Sequence, residues 1–228
     1  LAERLDIDPL DFRLKNAAQK GTRRADGPKY PRIGCIEVLE AMKNHPHYNA
    51  PLGGPNRGRG VAVGFWFNAG MASSCTINVN ADGTVNLVEG SVDLAGTRTS
   101  IAMQAAEVLG IRAEDVCPAV ADTDSIGYAA LTGGSRTTFA TGWAAYEAAQ
   151  DVIRQMKQRA AMLWGVEADS VQFRRGSFRA ARRSIEFKEL AARLDETGGP
   201  IVGRGTANPS DVGGSFAGCI VDVEVDPE

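Results

Sequence analysis

Residues 84–110, TVNLVEGSVDLAGTRTSIAMQAAEVLG, lead from a strand through a glycine-containing turn into a helix. The apolar and β-branched residues of Thr84–Gly90 predict the strand. The apolar spacing of Arg98–Leu109 predicts a helix that Gly110 ends. A short apolar strand follows over Asp115–Ala121. The order strand, turn, helix, strand indicates an α/β protein.

The segments on either side continue the alternation of strands and helices. Ser73–Asn80 is predicted to pair with the Thr84–Gly90 strand, because Ala81-Asp82-Gly83 is a strong hairpin signal. Downstream, a loop over Asp122–Arg136 leads into a long helix, Thr137–Trp164, whose paired alanines permit close packing on a sheet. We therefore expect an α/β (α+β) fold in two layers, a mixed sheet with packed helices.

The chain divides into three predicted parts. Residues 1–57 form a helical arm, residues 58–200 the α/β domain, and residues 201–228 strands that begin a further subdomain. Because the chain starts at Leu1 rather than Met and stops just after a strand pattern, we expect it to be a segment of a longer polypeptide.

The composition is that of an ordinary globular protein with a slight excess of acidic residues. Lys and Arg number 25, Asp and Glu number 28, and the net charge is −3. This charge excludes a polybasic nucleic-acid-binding protein, which needs a positive field to attract phosphates. No apolar run reaches the roughly 18 residues of a transmembrane helix. The charged N-terminus does not resemble a signal peptide.

The cysteines and histidines predict no metal site. The two histidines lie in one proline-flanked loop and the cysteines form no C-x-x-C pair, whereas zinc needs clustered ligands. We expect buried or half-buried free thiols in a reducing, cytoplasmic setting. These residues are His45 and His47, and Cys35, Cys75, Cys117 and Cys219.

The loop before the long helix is the most unusual segment, rich in glycine and hydroxyl groups. The main-chain N–H groups of Gly133, Gly134 and Ser135 come at a helix N-terminus, where unpaired donors and the helix dipole favour an anion. The alternative is that Ser135 or Thr137 only caps the helix. The loop has no Gly-Lys-Ser/Thr and is not a Walker loop.

Gly90–Thr99 also follows a strand and opens a helix. Asp93 or a threonine can cap that helix, and Ala95-Gly96 allows the backbone to approach a ligand closely. Two such turns predict one shared anionic ligand at one end of the sheet, with helix capping as the alternative for each. The glycines of Gly58–Gly64 precede a strand instead of following one, so they do not predict a dinucleotide fold.

The two blocks GSVDLAGTRTSIAMQAAEVLGI and DTDSIGYAALTGGSRTTFATGWAAYEAA resemble the molybdenum-cofactor-binding subunit of the xanthine dehydrogenase/aldehyde oxidase family. This family includes aerobic carbon monoxide dehydrogenases. The similarity extends to LDIDPLDFRLKNA, GRGVAVGFW and FAGCIVDVEVDPE, and is least diagnostic over residues 22–57 and 165–200. It implies a fold of the molybdenum-cofactor-binding-domain type, covering the start of the second cofactor-binding region.

The resemblance implies which residues contact the cofactor, since the two turns hold the pterin and its phosphate or dinucleotide tail in the family. Many members have Gly-Gln-Gly where this chain has Ala95-Gly96-Thr97, so first-turn contacts are expected from the backbone. The implied cofactor is molybdopterin, with the cytosine dinucleotide form as one alternative. The implied contacts are Leu94, Ala95, Gly96, Thr97, Gly133, Gly134, Ser135, Arg136 and Thr137.

The implied reaction is oxidative hydroxylation of an aldehyde, an N-heterocycle or carbon monoxide, with water as the oxygen donor. The family's catalytic Glu stands in a Gly-x-Gly-Glu context absent from this chain, so we expect it beyond Glu228. We expect the segment alone to be inactive and to lack the cofactor.

The implied partners are the rest of the molybdenum subunit, iron–sulfur and FAD subunits or domains, and a small-molecule substrate. The residues leave two alternatives open. One is a non-catalytic α/β interaction domain whose glycine-rich loops are only helix caps. The other is a phosphate-binding domain unrelated to molybdenum.

Overall fold

The computed structural model describes residues 1–120, 125–210 and 213–228, so residues 121–124 of the predicted strand and loop lie outside it. Its helices are α1 (Pro9–Lys15), α2 (Cys35–Lys43), α3 (Pro46–Asn49), α4 (Thr97–Leu109), α5 (Gly142–Trp164) and α6 (Phe187–Ala191). A π-helical turn, Thr137–Thr141, precedes α5, and single 3-10 turns span Glu3–Leu5, Ala113–Asp115, Ala168–Ser170 and Leu194–Thr197. The strands are β1 (Arg57–Trp66), β2 (Ser73–Val79), β3 (Val85–Glu89), β4 (Val116–Val120), β5 (Gln172–Arg174), β6 (Ser177–Ala180), β7 (Arg183–Glu186), β8 (Ile201–Ala207) and β9 (Ser215–Glu224). Within the described ranges, none of the helices has both the length and the apolar character that a membrane span requires.

The chain folds into two compact units. The first unit comprises Leu1–Asn68 and Val212–Glu228, and the second comprises Ala69–Asp211. In the first unit, β1 and β9 pair antiparallel along their whole lengths as a two-stranded ribbon. The buried core of this unit consists of Leu10, Ile33, Cys35, Leu39 and Met42.

The boundaries expected after residues 57 and 200 differ from this division. β1 was expected to open the α/β domain, but it pairs with β9. β8 was expected to begin a further subdomain, but it pairs with β2 and forms one edge of the sheet in the second unit. Both pairings join strands that lie far apart in the chain, and composition along the chain carries no signal for such pairs.

The second unit contains a mixed four-stranded sheet in the order β4-β3-β2-β8. The β3–β4 pair is parallel and the other two pairs are antiparallel. α4 and α5 pack against one another and against the sheet, and a separate antiparallel sheet joins β5, β6 and β7. This arrangement confirms the predicted mixed sheet with packed helices.

Small residues bring α5 very close to β8. A Cβ atom on Gly203 or Gly205 would collide with the α5 backbone at Ala148 or Ala144. The alanine pairs of the helix predicted this close packing, and β8 supplies the matching glycines. The buried alanines on this part of α5 are Ala144, Ala145, Ala148 and Ala149.

Local sequence signals place several helix ends. Gly110 and Gly165 end α4 and α5 in the left-handed conformation. The Asp8 carboxylate accepts two main-chain hydrogen bonds at the start of α1, as the Asp-Pro pair predicts. α1 ends at Lys15, and the main-chain N–H of Asn16 donates to the carbonyls of Arg13 and Leu14.

The four cysteines divide evenly between interior and surface. All are free thiols; Cys35 and Cys75 are buried, whereas Cys117 and Cys219 are exposed. The expectation of buried or half-buried thiols therefore fails for the last two. Burial raises the pKa of the Cys75 thiol well above its usual value, so that thiol stays protonated.

Candidate cofactor site

Both glycine-containing loops begin at the same edge of the sheet. β3 and β4 are parallel, and Glu89 at the end of β3 lies opposite Val120 at the end of β4. The first loop, residues 90–96, leaves β3 and enters α4 at Thr97. The second loop follows β4 and ends at the π-helical turn that starts with Thr137. Parallel pairing thus brings two loop-to-helix junctions to one side of the second unit.

The first loop turns into α4 through two consecutive left-handed residues. Ala95 has φ +54° and Gly96 has φ +80°, and both are exposed with Leu94. A Cβ atom on Gly96 would meet nothing within 4 Å, so the surface here is open to a ligand. The Asp93 carboxylate accepts the Arg98 N–H at 3.1 Å, so part of this loop serves as a helix cap.

The second loop uses the same backbone device without a cap. Gly134 and Ser135 are left-handed, with φ +63° and +54°, directly before the helix start. The helix expected to be α-helical from Thr137 begins instead with the π-helical turn. Among the described residues, no side chain caps this start, so the predicted Ser135 or Thr137 cap is not found. The first N–H groups of a helix have no partner within it and carry its positive dipole end, which suits an anion.

Thr137 adds an unsatisfied group at this helix start. Its side chain is buried, and its Oγ1 has no hydrogen-bond partner within the described part of the chain. A buried hydroxyl without a partner costs free energy, which a polar ligand would recover. The residues at the second loop therefore fit a group that carries an anionic tail and further polar atoms.

The Arg136 side chain faces the protein interior instead of a ligand. It is completely buried, and its guanidinium donates to the carbonyl oxygens of Gly70 (2.7 Å), Ala72 (2.8 Å) and Ala130 (3.0 Å). Burial lowers the pKa of this guanidinium, yet arginine stays charged in proteins. Its donors are used inside the protein, so only the main-chain N–H of Arg136 remains a candidate contact.

Sequence reasoning missed a set of buried polar residues beneath the loops. Ser73, Glu89, Ser91 and Thr141 are each at most 2% exposed, and with Arg136 they form what we call the polar network. Burial raises the pKa of the Glu89 carboxyl, although hydrogen bonds from Ser91 counter this rise. No periodic signal marks such residues, because polar groups at strand ends usually face solvent.

The start of the first loop contacts the second loop and the π-helical turn that follows it. Ser91 Oγ, at the start of the first loop, lies 2.9 Å from Thr141 Oγ1, at the end of the π-helical turn. A Cβ atom on Gly90 would lie 2.6 Å from the Ala129 Cβ of the second loop. The first loop therefore contacts the second loop at Ala129 and the following turn at Thr141, while a direct approach of Gly90–Thr99 to Gly133–Thr138 stays a prediction.

Large apolar side chains of both loops remain exposed. Such a concentration marks a surface that binds a ligand or another protein segment. The residues are Val92 and Leu94 in the first loop, and Tyr128 and Leu131 in the second.

Comparison with known proteins identifies relatives over most of the chain. Residues 39–228 match the family described as the molybdopterin cofactor-binding domain. The aldehyde oxidoreductase molybdenum-binding subunit PaoC of Escherichia coli (strain K12) is 27% identical over 238 residues, covering 99% of this chain and 31% of that protein. The xanthine dehydrogenase molybdenum-binding subunit of Escherichia coli O157:H7 is 25% identical over 248 residues, with 97% and 33% covered. The chain spans about a third of the length of the curated relatives it matches.

Solved structures share the fold. CO dehydrogenase from Oligotropha carboxidovorans superposes with a TM-score of 0.78 at 23% identity, over 98% of this chain and 33% of that one. Quinoline 2-oxidoreductase from Pseudomonas putida 86 superposes with a TM-score of 0.75 at 21% identity, over the same shares. At these identities, the likeness supports the fold of the chain alone.

Proposed function

Because the chain belongs to the molybdopterin cofactor-binding domain family, as its resemblance to molybdenum hydroxylases implied, we propose that its two loops form one side of the cofactor site. The main observation behind this proposal is the helix start after Gly134-Ser135, which no described side chain caps. It lies at the same edge of the sheet as the loop that contains Ala95-Gly96. Both loops follow the carboxyl ends of the parallel β3–β4 pair, and this is the position at which parallel α/β sheets bind ligands.

The structure favours cofactor binding over helix capping at the second loop. At the first loop, the Asp93 carboxylate partly fulfils the capping alternative. At the second loop, the described residues contribute no side-chain cap, and the Thr137 hydroxyl lacks a partner. If the loops were purely structural, as in an interaction domain, the missing cap and the unpaired Thr137 hydroxyl would have no explanation. A phosphate-binding domain unrelated to molybdenum accounts for them equally well, and the family match decides against it.

The proposed contacts divide between the two loops. Main-chain groups bind the pterin and its phosphate or dinucleotide tail, since the exposed first turn has no Gln side chain. When bound, the cofactor supplies the redox chemistry for oxidative hydroxylation with water as the oxygen donor. The proposed contact residues are Leu94, Ala95, Gly96, Thr97, Gly133, Gly134, Ser135 and Thr137, with Arg136 acting through its main chain.

We propose that the rest of a molybdenum subunit completes this site. The exposed apolar residues of both loops need a covering surface, and the curated relatives are about three times as long as the chain. That remainder would supply the catalytic Glu and the substrate pocket. The substrate would be an aldehyde, an N-heterocycle or carbon monoxide, and electrons would leave through iron–sulfur and FAD partners. A cytoplasmic location remains a prediction.

Metal and pterin analysis tests the proposal. The full-length protein that contains this chain is expected to carry stoichiometric molybdenum and a pterin. The 228-residue chain alone is expected to carry neither in stoichiometric amount, because its loops are open to water. A full-length protein without molybdenum and pterin would refute the proposed function. Stoichiometric molybdenum in the chain alone would refute the proposal that the rest of the subunit is needed to complete the site.

A further inference from the structure

The polar network is a continuous series of hydrogen bonds between buried residues of the second unit. The Arg136 guanidinium donates to Ser73 Oγ, and Ser73 Oγ lies 2.9 Å from Thr141 Oγ1. Thr141 Oγ1 lies 2.9 Å from Ser91 Oγ, and the Ser91 N–H donates to the Glu89 carboxylate. All five residues are at most 2% exposed, so each bond replaces water that burial has removed.

The members of the network come from three parts of the second unit: the start of β2, the junction of β3 with the first loop, and the end of the second loop with the turn that follows it. Ser73 begins β2, and Glu89 and Ser91 stand at the junction of β3 with the first loop. Arg136 is the last residue of the second loop, and Thr141 is the last residue of the π-helical turn. The single Thr141 hydroxyl therefore lies between the segment leading to Ala95-Gly96 and the helix start that follows Gly134-Ser135.

Arg136 fastens the second loop from its other side. Its guanidinium joins the carbonyl groups of Gly70 and Ala72 to that of Ala130. The Ala130 N–H also donates to the Ala72 carbonyl at 2.9 Å, and the Ala69 N–H donates to the Gly134 carbonyl at 2.9 Å. The second loop is thus attached at Ala130, Gly134 and Arg136 to the segment that enters β2.

We propose that Thr141 and Arg136 are positioning residues, which hold the two loops at the spacing that the cofactor needs. This inference rests on the proposed function of the loops. Contacts made by main-chain N–H groups depend on the placement of whole segments, and binding geometry tolerates displacements of only about 0.5 Å. A shared hydroxyl couples the two segments, so loosening one loosens the other.

The test replaces the shared hydroxyl without changing the shape of the side chain. Thr141→Val removes both hydrogen bonds to Ser73 and Ser91, whereas Thr141→Ser retains a hydroxyl. Thr197→Val is the matched control, because Thr197 is also buried but its hydroxyl donates only to the Leu194 carbonyl of its own turn. Ser91→Ala breaks the same connection from the first loop, and serves if Thr141→Val does not fold.

Hydrogen exchange and molybdenum content are measured in the full-length protein. In Thr141→Val, exchange of peptides 89–97 and 134–142 is expected to rise together by about 5- to 30-fold, the effect of losing one or two buried hydrogen bonds. Molybdenum content is expected to fall in the same variant. Thr141→Ser is expected to restore both, Thr197→Val to change neither, and Ser91→Ala to reproduce the loosening of both peptides.

Three results would overturn the inference. The first is unchanged exchange of either peptide in Thr141→Val, and the second is an equal rise in Thr197→Val. The third is loosened loops with wild-type molybdenum content, which would leave the network a structural role only. A wild-type protein without molybdenum and pterin would instead refute the proposed function, and with it any positioning role toward the cofactor. A joint rise in the exchange of both peptides in Thr141→Val would still support the link between the two loops.

Discussion

Replacing Gly134 by Val separates a cofactor contact from ordinary loss of stability. Gly134 has φ +63° three residues before the start of the π-helical turn, which no described side chain caps, and a β-branched residue strongly resists that conformation. Gly165 also has φ +63° and stands exposed at the opposite end of α5, where an added Cβ atom would meet nothing within 4 Å. Gly165→Val is therefore a matched control with the same backbone strain away from the loops.

Both variants are expected to lose similar stability. A non-glycine residue held in the left-handed region costs about 1–3 kcal/mol. Each kcal/mol lowers Tm by about 2–4 °C in a domain of roughly 150–250 residues and by less in a longer protein, so each full-length variant should melt at most about 12 °C below wild type. The fold should survive in both.

Cofactor content is expected to distinguish the two variants. In the full-length protein, Gly134→Val should abolish cofactor loading, because its side chain occupies the approach to the main-chain N–H groups. Gly165→Val should keep the wild-type content. Molybdenum per protomer, pterin content and Tm are measured together on each. Wild-type molybdenum in Gly134→Val with a lowered Tm, or equal molybdenum losses in both variants, would refute the assignment of this loop.

Two further predictions concern stability. Arg136→Met should lower the free energy of unfolding, measured by urea titration, by about 3–5 kcal/mol, because it leaves several buried carbonyls unpaired. The control Arg154→Met removes an exposed arginine and should cost less than about 1 kcal/mol. Similar losses in both variants would contradict the role of Arg136 in pairing buried carbonyls. Partial burial raises the pKa of the Asp8 carboxyl, but hydrogen bonds from the Tyr48 hydroxyl and two main-chain N–H groups lower it to below its usual value. Burial, together with the hydrogen bond to the Asp8 carboxylate, raises the pKa of Tyr48 to about 12. The contribution of Asp8 to stability is therefore present above the unfolded pKa of about 3.9 and is lost as pH falls through the lower folded pKa. The free energy of unfolding of wild type should exceed that of Asp8→Ala by about 1 kcal/mol at pH 7 and by progressively less below about pH 4. A constant difference down to about pH 2 would contradict this prediction.

The order of elements around residues 84–110 could be predicted because local residues determine it. The hairpin at Ala81-Asp82-Gly83 forms as expected, with Gly83 at φ +84° between β2 and β3. Gly110 and Gly165 end the two long helices for the same reason, since only glycine enters the left-handed region without strain. The two loop motifs were also visible, because glycine and hydroxyl residues before a helix are a local pattern.

The role of Arg136 could not be predicted from its neighbours in the chain. Next to a glycine-rich loop, an arginine suggests an anion contact, yet this side chain points into the protein and binds the carbonyls of Gly70 and Ala72. Those partners are more than sixty residues away in the chain. The same holds for Thr141, which looks like an ordinary helix residue until Ser73 and Ser91 are brought beside it.

Local residues were enough to predict the hairpin, the ends of the two long helices, the mixed α/β class and the two loops that carry the family resemblance, because each depends on residues within a few positions of one another. The pairing of β1 with β9, the place of β8 in the sheet and the burial of Arg136 emerge only in the folded protein, because strand pairing and the burial of polar atoms depend on distant segments. Whether a polar side chain meets solvent, a ligand or a carbonyl is set by what packs around it, and chain order does not encode that.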